Sequence, residues 1–494
     1  MKVFEDRSPA IDPIAFPPER RARLLSGKDL EMIDQTVMSI LGDVGIKFPY
    51  EPALDILEAA GAIVDRRTQM VKMPADLVRK ALATVPAGYT MGSRGEAELD
   101  VVIDGRRTYC GTDGTGINIA DMDTGQIKSS TKSDLANMAK VADYLSSVSF
   151  FWPMLSAQDY PLQVMSLHEL DASIRNTSKH IHLISCADRA QAKWAAKMAD
   201  VAAGTEARRL ARPPFSILTC ALSPLSQEAG GLSAGLEFAK AGLPVGLATM
   251  PMLGGTAPAS IPSLLAMGVA ELLSAAVFFQ LAQPGTKLYC ALFSTIMNPY
   301  SGSCMSSTNL QALLNAAPVD IFRFYKIPVM ASYGSGDSNR LDSWTFGRDT
   351  SVDTVFQYMM QPDMFPGFGL MDNDTLCYPE QMLLDDYIYS TIKTLSTGLA
   401  VDEASLALKE LAEVGVGGTF MARPFTMKNI RKLWKGSVRH RWDQENKNFM
   451  DMMENAKEQI KWIWENHRPM PLSPDQDQAL ADILKAAHQE LVGV

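Results

Sequence analysis

The chain has 494 residues, 47% apolar and 21% charged, which suits one large globular domain with additions or two to three domains. A net charge of -10 and a pI near 5.3 argue against nucleic acid as a partner, since that needs a basic face. No uninterrupted apolar stretch reaches a membrane span, and MKVFEDRSPAIDP has no apolar signal core, so no membrane and a cytoplasmic location are expected.

In chain order, residues 1–26 are rich in Pro and Arg and are expected to wrap the surface. Leu30, Ile33, Val37, Ile40, Leu41 and Val44 then recur at helical spacing, with Ser26 as N-cap and Gly45 as stop. Further helices are predicted near 51–60 and 75–84, and short strands over 89–110 around Asp104-Gly105.

Beyond this, apolar strand-like runs lie at 148–155, 181–186, 214–220, 244–250, 286–293, 327–332 and 364–370. Helical stretches separate them near 162–177, 188–203, 226–241, 259–282, 306–325, 350–361 and 379–397. Runs that are apolar at every position indicate strands covered on both faces, as in a parallel sheet. Seven such units, with an eighth strand either near 398–420 or within 111–119, predict a (β/α)8 TIM barrel. A doubly wound sheet would carry a dinucleotide fingerprint after an early strand, and none is found. The expected organisation is an N-terminal helical and β extension over 1–110, a barrel over 111–425 and a C-terminal helical segment over 426–494 that packs on the barrel or a neighbouring subunit. A homo-oligomer is expected.

In a barrel the chemistry sits after the strand ends. The loops there are long and polar, among them 156–161, 251–260, 294–303, 332–347 and 371–379, whereas 240–244 and 283–287 at the other end are short. The richest is SYGSGDSNRLDSWTFGRD at 332–349, after the sixth apolar run. Aromatic faces attract quaternary ammonium groups, and an Arg can clamp a carboxylate, which together suggest a small zwitterion. Candidate substrate-binding residues are Trp152, Tyr333, Trp344 and Phe346 for the ammonium and Arg340 for a carboxylate. Asp337 is the candidate catalytic, orienting residue.

Other features have plainer readings. His180 and His182 form an H-x-H pair that in barrel hydrolases can bind zinc, but they open their strand, opposite the expected site, and no third ligand is evident; no metal site is expected. The six Cys form no C-x-x-C pair, and Cys186, Cys220 and Cys290 are expected as buried thiols. GTDGTG at 111–116 and VGVGG at 414–418 read as turns, the latter needing positive φ. Glu271, on an apolar helix, must be paired or reach a polar cavity.

Taken together, 41–65 (LxxxGIxFPYEPALDILEAAGAIVD), 121–135 (DMDTGQIKSSTKSDL), NTSKH at 176–180, SPL at 223–225, PMLGGTAPAS at 251–260, 269–285 and EQMLLDD at 380–386 make the chain resemble the trimethylamine methyltransferase family over nearly its whole length. The resemblance implies a β/α barrel that moves a methyl group from an amine to the Co(I) of a corrinoid (cobalamin) carried by a partner protein, with none bound tightly by this chain. Trimethylamine-specific members carry pyrrolysine at the mouth, in the region corresponding to Tyr333, and this sequence has none. That implies a quaternary amine, betaine- or carnitine-like, in one-carbon metabolism of the methanogenesis type. Ser307, Thr308 and Asn309 stand where the family often has Pro-Glu, and Ala422, Arg423, Pro424 and Phe425 where it often has His. The alternatives are a zinc-dependent barrel hydrolase and a catalytically inactive quaternary amine binding protein.

Overall fold

The computed structural model describes residues 4–5, 7–183, 186–331, 336–341, 344–433, 442–443 and 446–493, with the side chains of 349 and 431–433 left aside. Its centre is a closed barrel of eight strands: β1 (Tyr109–Thr112), β2 (Phe150–Phe151), β3 (His180–Leu183), β4 (Phe215–Cys220), β5 (Val245–Thr249), β6 (Leu288–Leu292), β7 (Val329–Met330) and β8 (Met364–Phe368). Every neighbouring pair is parallel, and β1 closes the ring between β8 and β2.

All seven apolar runs supply a strand. The eighth lies at the start of the 111–119 alternative, and it comes first in order. The run at 327–332 is therefore the seventh strand, not the sixth, while 398–420 is partly helical. The strand YCGT is hard to read because it is not apolar throughout. A Cβ at Gly111 would sit 2.2 Å from the Phe150 ring, so glycine here makes room for an aromatic inside the barrel. Gly246 does the same for Tyr289, at 2.4 Å. Gly246→Ala is expected to overpack this interior and cost about 1–3 kcal/mol. Denaturant unfolding checks it, and an unchanged midpoint would show that the ring has room to move.

The helices follow the strands: α1 (Lys132–Tyr144), α2 (Leu162–Asn176), α3 (Arg189–Ala203), α4 (Ala229–Lys240), α5 (Ile261–Ala282), α6 (Gln311–Tyr325), α7 (Thr354–Met360) and α8 (Gln381–Thr397). Only α1 is missing from the sequence reading. It starts from a capping box of Thr131 and Asp134. By length and composition α5 could cross a membrane, but 94% of its apolar window is buried in the protein. The N-terminal helices Gly27–Ser39, Glu51–Ala59 and Ala75–Leu82 pack across it, so it is covered on its outer face as well as by the barrel. Ser26 is the N-cap as expected, in a capping box with Asp29, and Gly45 ends the segment at φ +92.

Two cores result. The larger lies between barrel and helices; the smaller fills the barrel with Tyr109, Phe150, Trp152, Leu218, Tyr289 and Met364, among others. Met91, Val101 and Ile103 belong to the smaller cluster. They come from the hairpin Tyr89–Met91 and Val101–Ile103, and Tyr89 donates to the Leu288 carbonyl at the start of β6. The hairpin thus plugs the N-terminal end and leaves the opposite end for chemistry. All six Cys are free thiols; Cys186 and Cys290 are buried as expected, but Cys220, the last residue of β4, is exposed.

The C-terminal helix Pro474–Leu491 docks on α2 and α3. At this seam Lys132 Nζ lies 3.0 Å from Nδ1 of His168, whose Nε2 is 2.7 Å from Nε2 of His488. Lys132 also pairs with Asp171 at 2.6 Å, and its amide donates to Asp159. Burial, then Lys132 and His488, lowers His168 to about 4. Because the unfolded imidazole titrates near 6.5, the unfolded chain binds more protons between the two values. Stability from this group is present above about 6.5 and is lost as pH falls toward about 4. Hydrogen exchange in Pro474–Leu491 is expected to accelerate over that window, and His168→Gln to flatten the dependence.

Candidate active site

Loops from five strands build the open end. Met252–Leu253 after β5 pairs with Thr295–Met297 after β6, which pairs with Cys304–Met305. Leu370–Met371 and Leu376–Cys377 after β8 join Asn118–Ala120 and Ile127–Ser129 after β1. These two small sheets wall the mouth. Asp337, in the loop after β7, accepts from the Ser306 and Ser307 amides at 2.8 and 3.1 Å and from the Ser306 hydroxyl at 3.0 Å. Its own amide donates to Ser307 Oγ at 2.7 Å. Ser306 Oγ also lies 2.9 Å from Asn373 Oδ1, so one serine and one aspartate join the loops after β6, β7 and β8. Ser306 and Ser307 of GSCMSSTN make this joint.

The predicted binding residues are dispersed. Trp344 is 86% exposed at the start of the short helix Trp344–Arg348, whereas Phe346, two residues on, is buried in the larger core. Arg340 is exposed. Tyr333 lies outside the described residues. Trp152 is buried at 3% beneath the mouth. Its ring is perpendicular to that of His182 at 4.6 Å and tilted against Phe293 at 6.3 Å. Phe293, which follows β6, packs on this floor and is only partly buried.

Below the floor, His180 Nδ1 donates to the Gly92 carbonyl at 2.8 Å, which can only accept. Its Nε2 then accepts from Ser216 Oγ at 3.0 Å. The Ser216 and Tyr289 hydroxyls lie 3.1 and 2.8 Å from Nδ1 of His182. Burial lowers both imidazoles, His180 to about 4, so they are neutral hydrogen-bonding parts of the barrel interior. Among the described residues no group of three His, Cys, Asp or Glu surrounds them. Glu271 has its partners too: Ser223 Oγ donates at 2.8 Å, the Leu225 amide at 2.7 Å, and the Thr249 hydroxyl also donates to it. It holds the SPL loop to the end of β5.

Asp113 is the mouth residue that sequence reading passed over. It follows β1, is 6% exposed, and accepts from the Gly114 amide at 2.9 Å. Gly114, the next residue, lies against the Trp152 indole, so the backbone at this turn borders the aromatic floor. Burial, and then the Asp374 carboxyl hydrogen-bonded to it, raises Asp113 well above the carboxylate range. A second carboxyl in contact with a buried one makes ionising both costly, so this site favours the protonated form of Asp113. The sequence signal was an Asp inside GTDGTG, which looked like a turn. Nothing local links it to MDNDT at 371–375.

A family profile for trimethylamine methyltransferase (MTTB) matches residues 8–491. The chain belongs to that family. Trimethylamine methyltransferase MttB of Methanosarcina barkeri (strain Fusaro / DSM 804) is 26% identical over 477 residues, covering 95% of this chain and 96% of that protein. Glycine betaine methyltransferase of Desulfitobacterium hafniense (strain Y51) is also 26% identical over 477 residues, covering 95% and 98%. The crystal structure of the Methanosarcina barkeri monomethylamine methyltransferase (MtmB) aligns over 94% of this chain and 92% of that one, with TM-score 0.47 and 9% identity. This member of the methyltransferase family thus has relatives named for a tertiary and for a quaternary amine at the same 26% identity.

Proposed function

We infer that the protein takes a methyl group from a quaternary amine of the betaine or carnitine class and passes it to the corrinoid of a separate partner protein. The observation that carries this reading is a buried carboxyl, Asp113, at the mouth of a barrel floored by Trp152 and Phe293. A quaternary ammonium has no N–H to donate, so it is recognised by ring faces and by negative charge. Trp152 and Phe293 supply the rings, and Asp113 with Asp374 supplies charge once its proton leaves. Trp344 adds a ring from the loop after β7, Phe346 holds that loop from beneath, and Arg340 takes the substrate carboxylate; Tyr333, outside the described residues, is a further candidate for the ammonium. Asp337 orients the loop through Ser306 and Ser307.

A Co(I) corrinoid supplies the nucleophile to which the methyl group goes. The nitrogen keeps the bonding pair and leaves as a neutral tertiary amine, so no side chain of this chain has to be alkylated. What the chain offers such a partner is an open barrel end with exposed flat side chains, Tyr300 at 98% and Trp344 at 86%, suited to a macrocycle. Its own task is to hold one N-methyl group outward, and positioning of this kind lowers a barrier by several kcal/mol. Because the cation loses its charge as the bond breaks, a mobile proton near the nitrogen is better suited than a fixed anion. Anionic contacts that bind only the ground state would slow the step.

The test is a panel of glycine betaine, carnitine, choline and trimethylamine, each supplied with the protein and free Co(I) cobalamin, with methyl-cobalt formation followed by absorbance. Turnover of a carboxylated quaternary amine is expected. Turnover of trimethylamine alone would sink the reading.

A further inference from the structure

The ends of β4, β5 and β6 decide which side chains line one side of the mouth. Successive side chains of a strand point to opposite faces. Thr219, Thr249 and Leu292 point outward to the helices. A Cβ at Gly231 or Gly235 of α4 would meet Thr219, and one at Gly268 of α5 would meet Leu292 and Thr249. Thr249 also donates to Glu271 of α5. Leu218, Ala248 and Ala291, one position earlier, belong to the core that fills the barrel. Alternation therefore turns Cys220, Met250 and Phe293, one position later, inward again. The ladder holds this far, because the Ala221 amide donates to the Ala248 carbonyl at 2.8 Å and the Phe293 amide to the Thr249 carbonyl at 2.9 Å. Met250 precedes Pro251, which keeps it extended.

The core beneath these three is closed, but they are not. Met250 is 55% exposed, Phe293 is partly buried and Cys220 is exposed. Exposed as it is, the Cys220 thiol is still raised to about 11 by burial and then by Glu228. A group that keeps open surface and is nonetheless desolvated lines a recess, and this thiol stays neutral there. The floor below holds an orphan. Trp152 Nε1, on the edge of the indole that faces Gly114, has no hydrogen-bond partner, although the residue is only 3% exposed. A buried donor left in this state marks a place that an occupant completes. In the closed ring β1 stands opposite β5, with three strands between them on either side. Asp113 follows β1, so the mouth has a carboxyl on one side and a thiol, a thioether and a ring on the other. An eight-stranded barrel is only wide enough for side chains or one small ligand, so an occupant near Asp113 also meets the far side.

We propose that Cys220, Met250 and Phe293 form the wall on which the alkyl groups that stay on the substrate nitrogen pack, and that Met250 limits their size. The proposal rests on the quaternary amine reading given above. Thiol and thioether are polarisable and make only weak hydrogen bonds, which suits N-methyl groups. Being uncharged, they hold those groups equally well while the cation becomes a neutral amine. The wall therefore positions the substrate without the ground-state bias of a fixed anion.

Two measurements on the full chain test it. The first compares kcat/KM for glycine betaine and for its N-ethyl-N,N-dimethyl analogue, with free Co(I) cobalamin as acceptor. The wild type is expected to favour the trimethyl compound by about tenfold or more, and Met250→Ala to shrink that preference by about tenfold. Met250→Leu, of similar volume, should keep it. A Met250→Ala preference within about twofold of wild type would overturn the proposal. The second needs no turnover. (2-Trimethylammonioethyl) methanethiosulfonate carries the quaternary group on a thiol reagent; it forms a mixed disulfide and releases methanesulfinate. Peptide mass mapping is expected to find Cys220 labelled, and saturating glycine betaine to slow that labelling by about tenfold or more. An unlabelled Cys220, or labelling equally fast with and without glycine betaine, carnitine, choline and trimethylamine, would overturn the wall. Protection by trimethylamine but by none of the quaternary amines would support the wall and sink only the reading of the substrate.

Discussion

Asp113→Asn is expected to reduce kcat/KM for the quaternary amine by about thirtyfold or more. Removing one partner of a desolvated charge pair costs about 2 kcal/mol or more, and each 1.4 kcal/mol is tenfold. The substitution keeps the size of the side chain and its acceptor for the Gly114 amide, so the β1 turn should survive. What disappears is the carboxylate that the entering cation would create. The pH profile separates this from general damage. In the wild type the cation displaces the proton held with Asp374, so binding tightens as pH rises toward the raised value of Asp113. The variant should lose that slope. A KM equal to wild type at all pH values would remove Asp113 from the site.

Lys179→Met is expected to lower stability by about 3 kcal/mol or more, among the largest single effects in the chain. Lys179 is fully buried, and its ammonium donates to the carbonyls of Ala142, Leu145 and Val148 at 2.8, 2.6 and 2.6 Å. These carbonyls end α1 and lead into β2, so one side chain fixes the corner where the second barrel strand begins. Methionine fills the volume but strands the Ala142 and Val148 carbonyls, each worth about 1–3 kcal/mol when unpaired, while the Leu145 carbonyl keeps only the Val148 amide. Burial lowers the Lys179 amine to about 7, below its unfolded value of about 10.5. Its contribution should therefore rise with pH between those values and vanish from the profile of the variant. Denaturant unfolding measures both, and a change within about 0.5 kcal/mol would refute the corner's importance.

How much could be read in advance depended on whether the signal was local. Apolar runs such as PVGLATM and TKLYCALF stand out because central parallel strands are buried on both faces. Ser26, Gly45 and the VGVGG bend were legible because caps and positive φ are decided within a few residues. Strand β1 was hidden for the opposite reason: its Gly111 is selected by a ring, Phe150, from another strand. The loop after β7 drew attention through its aromatics. Yet Trp344 and Phe346 lie two positions apart, one exposed and the other in the core, a difference that composition does not encode. The segment 398–420, weighed as an eighth strand, instead carries the helices Glu403–Leu406 and Leu408–Val414, because short apolar runs do not separate strand from helix.

The amino-acid sequence on its own determined the periodicities, the turns and hence the eight-stranded barrel with a long-looped working end, since these follow from burial pattern and backbone preference over short windows. Only the closed tertiary structure decided which polar groups meet. Asp113 reaches Asp374, and Asp143 reaches His467 at 3.0 Å, across more than half the chain. Each of those carboxyls is an ordinary surface residue by type. It becomes a protonated pair or a buried link only when closure of the ring takes it out of water.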